Sequence, residues 1–88
     1  MRLVDEEKNT PVVTTRQIMS GSVLITHVFY DDDGAWQLFG GETISEADTV
    51  VVSVQQILSQ DDSLLALPDI EMGRNVYRES RVQGWTTY

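Results

Sequence analysis

The stretch Ser22–Gly40, SVLITHVFYDDDGAWQLFG, constrains the fold more than any other part of the chain. An apolar, β-branched and aromatic run from Val23 to Tyr30 meets Asp31-Asp32-Asp33-Gly34, and a second aromatic run follows from Ala35 to Phe39. Asp and Gly accept the backbone angles of a tight turn, so the stretch predicts one β-hairpin. That hairpin holds the only His of the chain, His27, and one of its two Trp, Trp36. It carries no catalytic signature.

The flanking segments supply the rest of a small sheet. Pro11-Val12-Val13-Thr14 predicts a short first strand, and Thr14 and Gln17 stand at capping-box spacing ahead of a short helix over Thr15–Met19. Ser20-Gly21 stops that helix. Thr49–Val52 has the β-branched density of a strand, and its unbroken apolar character predicts burial on both faces. Ser53-Val54-Gln55-Gln56 forms a second capping box, opening a helix whose Val54, Ile57 and Leu58 share one apolar face. Asp61-Asp62-Ser63 starts a further turn that ends at Pro68. Gly73 marks a turn, Asn75–Glu79 alternates as a last strand, and Val82–Tyr88 is expected to bring Trp85 back onto the sheet. Residues 1–10 are polar and charged and are expected to be a flexible tail. This order predicts a single α+β domain over residues 1–88: a mostly antiparallel sheet of about four to five strands, with two or three short helices on one face.

Composition narrows the chemistry. The 88 residues contain no Cys, which removes disulfides, thiolate nucleophiles and Cys-ligated zinc. A secreted domain this small usually needs disulfides, so a reducing cytoplasm is the expected compartment. Met1–Lys8 lacks the apolar core of a signal peptide, and no apolar run approaches a membrane span of about 20 residues. The net charge of −8 lies entirely in residues 1–62, where eleven acids face Arg2, Lys8 and Arg16. Such a field repels phosphate backbones, so nucleic acid is an unfavourable partner, whereas a basic protein is steered in.

Candidate catalytic and metal residues are sparse. Regular alternation sets His27 on a strand face with Val23, Ile25 and Phe29, where a lone His is ordinarily a hydrogen-bonded structural residue. An EF-hand reading of Asp31-Asp32-Asp33-Gly34 fails, because counting back from the Gly puts Phe29 at the first ligand position. Gly40-Gly41 belongs to no phosphate loop, and no Ser has a nucleophile-elbow context. No enzyme activity, cofactor or metal is expected. Trp36 has two readings: a core residue beside Leu38, or an aromatic anchor for a partner.

Three groups of residues resemble a known family. They are Val13–Met19 with Gly34-Ala35-Trp36-Gln37-Leu38-Phe39-Gly40-Gly41-Glu42; Val51–Leu58 with Asp61-Asp62-Ser63-Leu64-Leu65; and Asp69-Ile70-Glu71-Met72-Gly73. Together, over Val12–Arg78, they resemble a family of small bacterial domains of unknown function that includes proposed immunity proteins, which neutralise toxins of polymorphic or contact-dependent systems. The resemblance implies a non-enzymatic protein-binding domain. On that reading Asp31, Asp32, Asp33, Glu42, Glu46 and Asp48 mimic the phosphates sought by a basic toxin domain, and Trp36 anchors the complex. The alternative is a self-associating structural or regulatory domain, a homodimer paired through an edge strand at Val12-Val13 or Val76-Tyr77.

Overall fold

The computed structural model describes residues 1–41 and 46–87. Its strands are β1 (Pro11–Thr15), β2 (His27–Tyr30), β3 (Trp36–Phe39), β4 (Thr49–Ser53), β5 (Arg74–Tyr77) and β6 (Thr86–Thr87). They form one sheet in the order β4-β1-β3-β2-β5-β6. The α+β class holds, with one more strand than the upper expectation. Every neighbouring pair is antiparallel except β1 and β3, which run parallel with Val12 beside Trp36.

The hairpin forms as its turn chemistry requires, but β2 is shorter than the apolar run. Asp31 N–H bonds the Ala35 carbonyl (2.8 Å), Gly34 N–H returns to the Asp31 carbonyl (2.9 Å), and Gly34 takes φ +83°. A left-handed residue closing such a loop is best met by Gly. Alternation does not extend back through Thr26: Ile25 is buried in the core, whereas His27 and Phe29 are half-exposed on the other side of the sheet.

Two helices follow strands directly, α1 (Arg16–Met19) after β1 and α2 (Val54–Gln60) after β4. The capping box of α2 is present in full. Ser53 Oγ accepts from Gln56 N–H (3.1 Å), and Gln56 Oε1 accepts from Ser53 N–H (2.8 Å). The box expected at Thr14 and Gln17 does not form. β1 continues through Thr15, whose hydroxyl accepts from Ile18 N–H (3.2 Å) instead, so the cap is displaced by one residue. Thr14 Oγ1 and Gln17 Oε1 are left as buried oxygens without a hydrogen-bond partner.

One face of the sheet is covered. Val12, Val28, Tyr30, Trp36, Leu38 and Val76 form a single buried cluster with Ile18, Val54, Ile57 and the 3-10 segment Asp62–Ala66 through Leu64. The N-terminus belongs to this layer rather than fraying. Leu3, in a 3-10 turn over Leu3–Asp5, is fully buried, and Ile70 N–H bonds the Met1 carbonyl (3.0 Å).

Two expectations about strand position are overturned. β4 is not buried on both faces, since it is an edge strand with Val51 65% exposed. Conversely, Val12-Val13 and Val76-Tyr77 are not at edges; β1 and β5 are each bonded on both sides.

Candidate functional site

The sheet face that the described residues leave uncovered carries a cluster of aromatic side chains. Residues directly opposite across antiparallel strands share a face, so the pairs His27–Phe39, Phe29–Gln37, His27–Tyr77 and Phe29–Asn75 place six side chains together. All six are half-buried. The His27 ring lies 6.4 Å from Phe29, nearly parallel to it, and 4.8 Å from Tyr77; Phe29 lies 6.2 Å from Phe39. A shallow depression of about 390 Å³ is lined by His27, Phe29, Asp31, Gln37, Phe39 and Gly40. Gln37 Nε2 donates to Asp31 Oδ2 (2.6 Å), which fixes a carboxylate at the rim of the apolar surface. His27 Nδ1 is 2.7 Å from Thr26 Oγ1. Among the described residues no three His, Asp or Glu side chains assemble as metal ligands.

The acidic residues expected to act together are divided. Asp31, Asp32 and Asp33 sit at the end of the sheet where β1 begins, because Val12 lies beside Trp36. Glu46 and Asp48, in a 3-10 turn leading into β4, sit at the opposite end, where Thr15 faces Thr49. Asp48 is further committed to Arg16 (2.6 Å), and hydrogen bonds from Arg16 and Gln17 hold its carboxyl below the usual range. Glu46 is exposed, and Glu42 lies outside the described residues.

Within the turn, Asp33 accepts from Ala35 N–H (3.1 Å), and the Asp32 carboxylate lies against Gly73. Trp36 takes the core position and offers no surface to a partner. It is 1% exposed, stacks on Tyr30 at 4.2 Å, and donates Nε1–H to Glu6 Oε2 (2.8 Å). On this face, Phe29, Phe39 and Tyr77 are the aromatics among the described residues that reach the surface. Their signal in the sequence is the polar company they keep, since His27, Gln37 and Asn75 share their face while Val28, Leu38 and Val76 share the other.

A second polar cluster is structural. Arg78 is 2% exposed. Its Nε donates to the Ile25 carbonyl (3.0 Å), Nη1 to Ser63 Oγ (2.8 Å) and Nη2 to Asp61 Oδ2 (3.0 Å). The Trp85 ring covers the guanidinium at 4.3 Å. Asp61 also accepts from Ser63 N–H (3.0 Å) and pairs with Arg81 (3.0 Å). Both charges are engaged from several sides, and a cavity of about 360 Å³ beside them is lined by Ser63, Arg78, Arg81 and Trp85.

Comparison of the chain with protein-family models, curated proteins and solved structures finds no match. Among the described residues no helix is long and apolar enough to cross a membrane. The fold and site together define a small α+β domain with one covered sheet face and one that the described residues leave open.

Proposed function

We propose that this chain is a non-enzymatic protein-recognition domain of the immunity type, acting in a reducing cytoplasm, whose open sheet face occludes a basic protein partner such as a toxin domain. The aromatic cluster of Phe29, Phe39, His27 and Tyr77, rimmed by Asp31, is the observation that carries this reading. Half-buried aromatics supply contact area at little entropic cost and are the residue class that dominates interface energetics. A chain of net charge −8 steers a basic surface toward them, and the Asp31–Asp33 turn stands beside the patch. Trp36 has no part in the contact, and Glu46 and Asp48 act only through the long-range field.

The test is capture from cell lysate with the wild-type chain as bait, repeated with Phe29→Ala and with Asp32→Lys/Asp33→Lys. The expected result is one basic protein held at low salt and released at high salt. Truncating an anchoring aromatic should weaken its binding by about 30-fold. Charge reversal at the turn should slow association and flatten its salt dependence. Retention unchanged by both variants, each folded by circular dichroism, would remove the open face from the account.

A further inference from the structure

We propose that the cavity beside Arg78 and Trp85 binds a small monocarboxylate that carries an apolar body. Its volume of about 360 Å³ falls within the roughly 300–1,000 Å³ of small-molecule sites. Both charged groups that line it are guanidiniums, Arg78 buried at its wall and Arg81 half-exposed at its rim. A guanidinium carries five N–H donors. Arg78 uses one each from Nε, Nη1 and Nη2, on Ile25, Ser63 and Asp61. One N–H on each of Nη1 and Nη2 therefore has no acceptor among the described residues. Such donors on a buried cation favour an acceptor that brings negative charge. Counter-charge is short as well. The buried Asp61 carboxylate serves both arginines, and the other acid in contact, Asp62, is exposed and screened by solvent.

The rest of the wall selects the class of acid. Ala66, Pro68, Val82 and the Trp85 ring are apolar, and Val82 is 96% exposed, so it has surface to bury against a ligand. A bare phosphate leaves that half of the cavity unused and meets the repulsion of a chain carrying −8. A carboxylate on an apolar body matches both halves: its oxygens accept from the guanidiniums, and its body lies against Pro68, Val82 and Trp85. The site is also held in place before a ligand arrives. Trp85 stacks on the Arg78 guanidinium, Gln83 N–H bonds the Ser80 carbonyl (3.2 Å), and Gln83 Oε1 accepts from Glu79 N–H (2.7 Å). Little ordering then remains to oppose binding.

The experiment titrates 3-phenylpropionate into the full chain and follows the Trp indole and Arg Nε–H signals by NMR. Its neutral counterpart, 3-phenylpropionamide, and inorganic phosphate are titrated in parallel. The expected result is a saturable shift at Trp85 and Arg78 with a Kd of about 1 mM or tighter. Trp36, closed in the core, should not move and serves as the internal reference. The amide and phosphate should each bind at least about tenfold more weakly than the acid. Arg81→Gln keeps the buried Arg78–Asp61 pair and should weaken the acid by about tenfold, with urea unfolding to show that the variant is folded. The inference does not rest on the open sheet face. Phe29→Ala, which tests that face, should leave the affinity for the acid unchanged, so either account can fail alone. The absence of a saturable wild-type shift up to about 10 mM would overturn the proposal. So would an amide that binds as well as the acid, phosphate that binds as tightly, or an acid affinity unchanged in folded Arg81→Gln.

Discussion

Thr14 shows how one atom can oppose the fold that surrounds it. Its hydroxyl lies fully buried on the covered face of β1 without a partner. A buried hydroxyl that makes no hydrogen bond costs its desolvation and returns nothing. Thr14→Val keeps the β-branched shape and removes the polar atom, so it should stabilise the domain by about 1 kcal/mol, measured by urea unfolding. The same residue marks the limit of local inference. Thr14-Thr15-Arg16-Gln17-Ile18 admits two cap registers, one ending on Gln17 and one on Ile18. The local spacing favours the first. The pairing of β1 with β4 as far as Thr15 selects the second, and that pairing is set by residues more than thirty positions away. Trp36 makes the complementary point: alternation with Leu38 already placed it inward, and the structure leaves it no surface for the anchoring role.

At the scale of elements, turns were legible and edges were not. Each turn carries its own chemistry, and Gly34, Gly73 and the Ser53 capping box all act as their residue types dictate. Gly34 and Gly73 nevertheless differ. Both have positive φ, but a Cβ at Gly34 would meet open space, whereas one at Gly73 would collide with the Asp32 carboxylate. Gly34→Ala should therefore cost about 1 kcal/mol from backbone strain, and Gly73→Ala should cost more. Asp32→Ala should narrow the difference between them. Thermal unfolding of Gly34→Ala and Gly73→Ala, each with and without Asp32→Ala, checks this; equal costs for both glycines would contradict the contact. Edge or interior position, by contrast, follows from strand order. The run Val50-Val51-Val52 resembles a strand buried on both faces, yet it ends the sheet, because no local signal says which strand β1 will choose as its second neighbour. The open face was hidden for a related reason: both faces of β2 carry large aromatic or apolar side chains, and His27 marks the open one only once pairing sets Gln37 and Asn75 beside it.

For the whole molecule, the Asp61–Arg78 cluster ties the end of α2 to the segment after β5 and makes stability depend on acid. Burial alone would raise the Asp61 carboxyl, but hydrogen bonds from Ser63 and the Arg78 and Arg81 guanidiniums outweigh it and hold it below the usual value. A carboxyl lowered in the folded state adds stability that is complete above the unfolded value, near pH 4, and is lost as pH falls through the folded one. Wild-type stability should therefore drop between pH 4 and lower values. Asp61→Asn leaves Arg78 buried without its counter-charge, so it should cost about 3 kcal/mol at neutral pH and show a shallower acid limb. Denaturant titrations at several pH values measure both effects, and a steeper acid limb in the variant would contradict the assignment.

The strand order also governs how the chain can mature during synthesis. β1 emerges first, yet its bonded neighbours are β3 and β4, so it remains incomplete until Ser53 has been made. The β2–β3 hairpin needs only a short loop to close and can form well before that. That strand therefore waits, with one side unpaired, for β4 to enclose it, and a ribosome-bound chain stalled before Thr49 should hold a folded hairpin and a first strand that only β3 can claim.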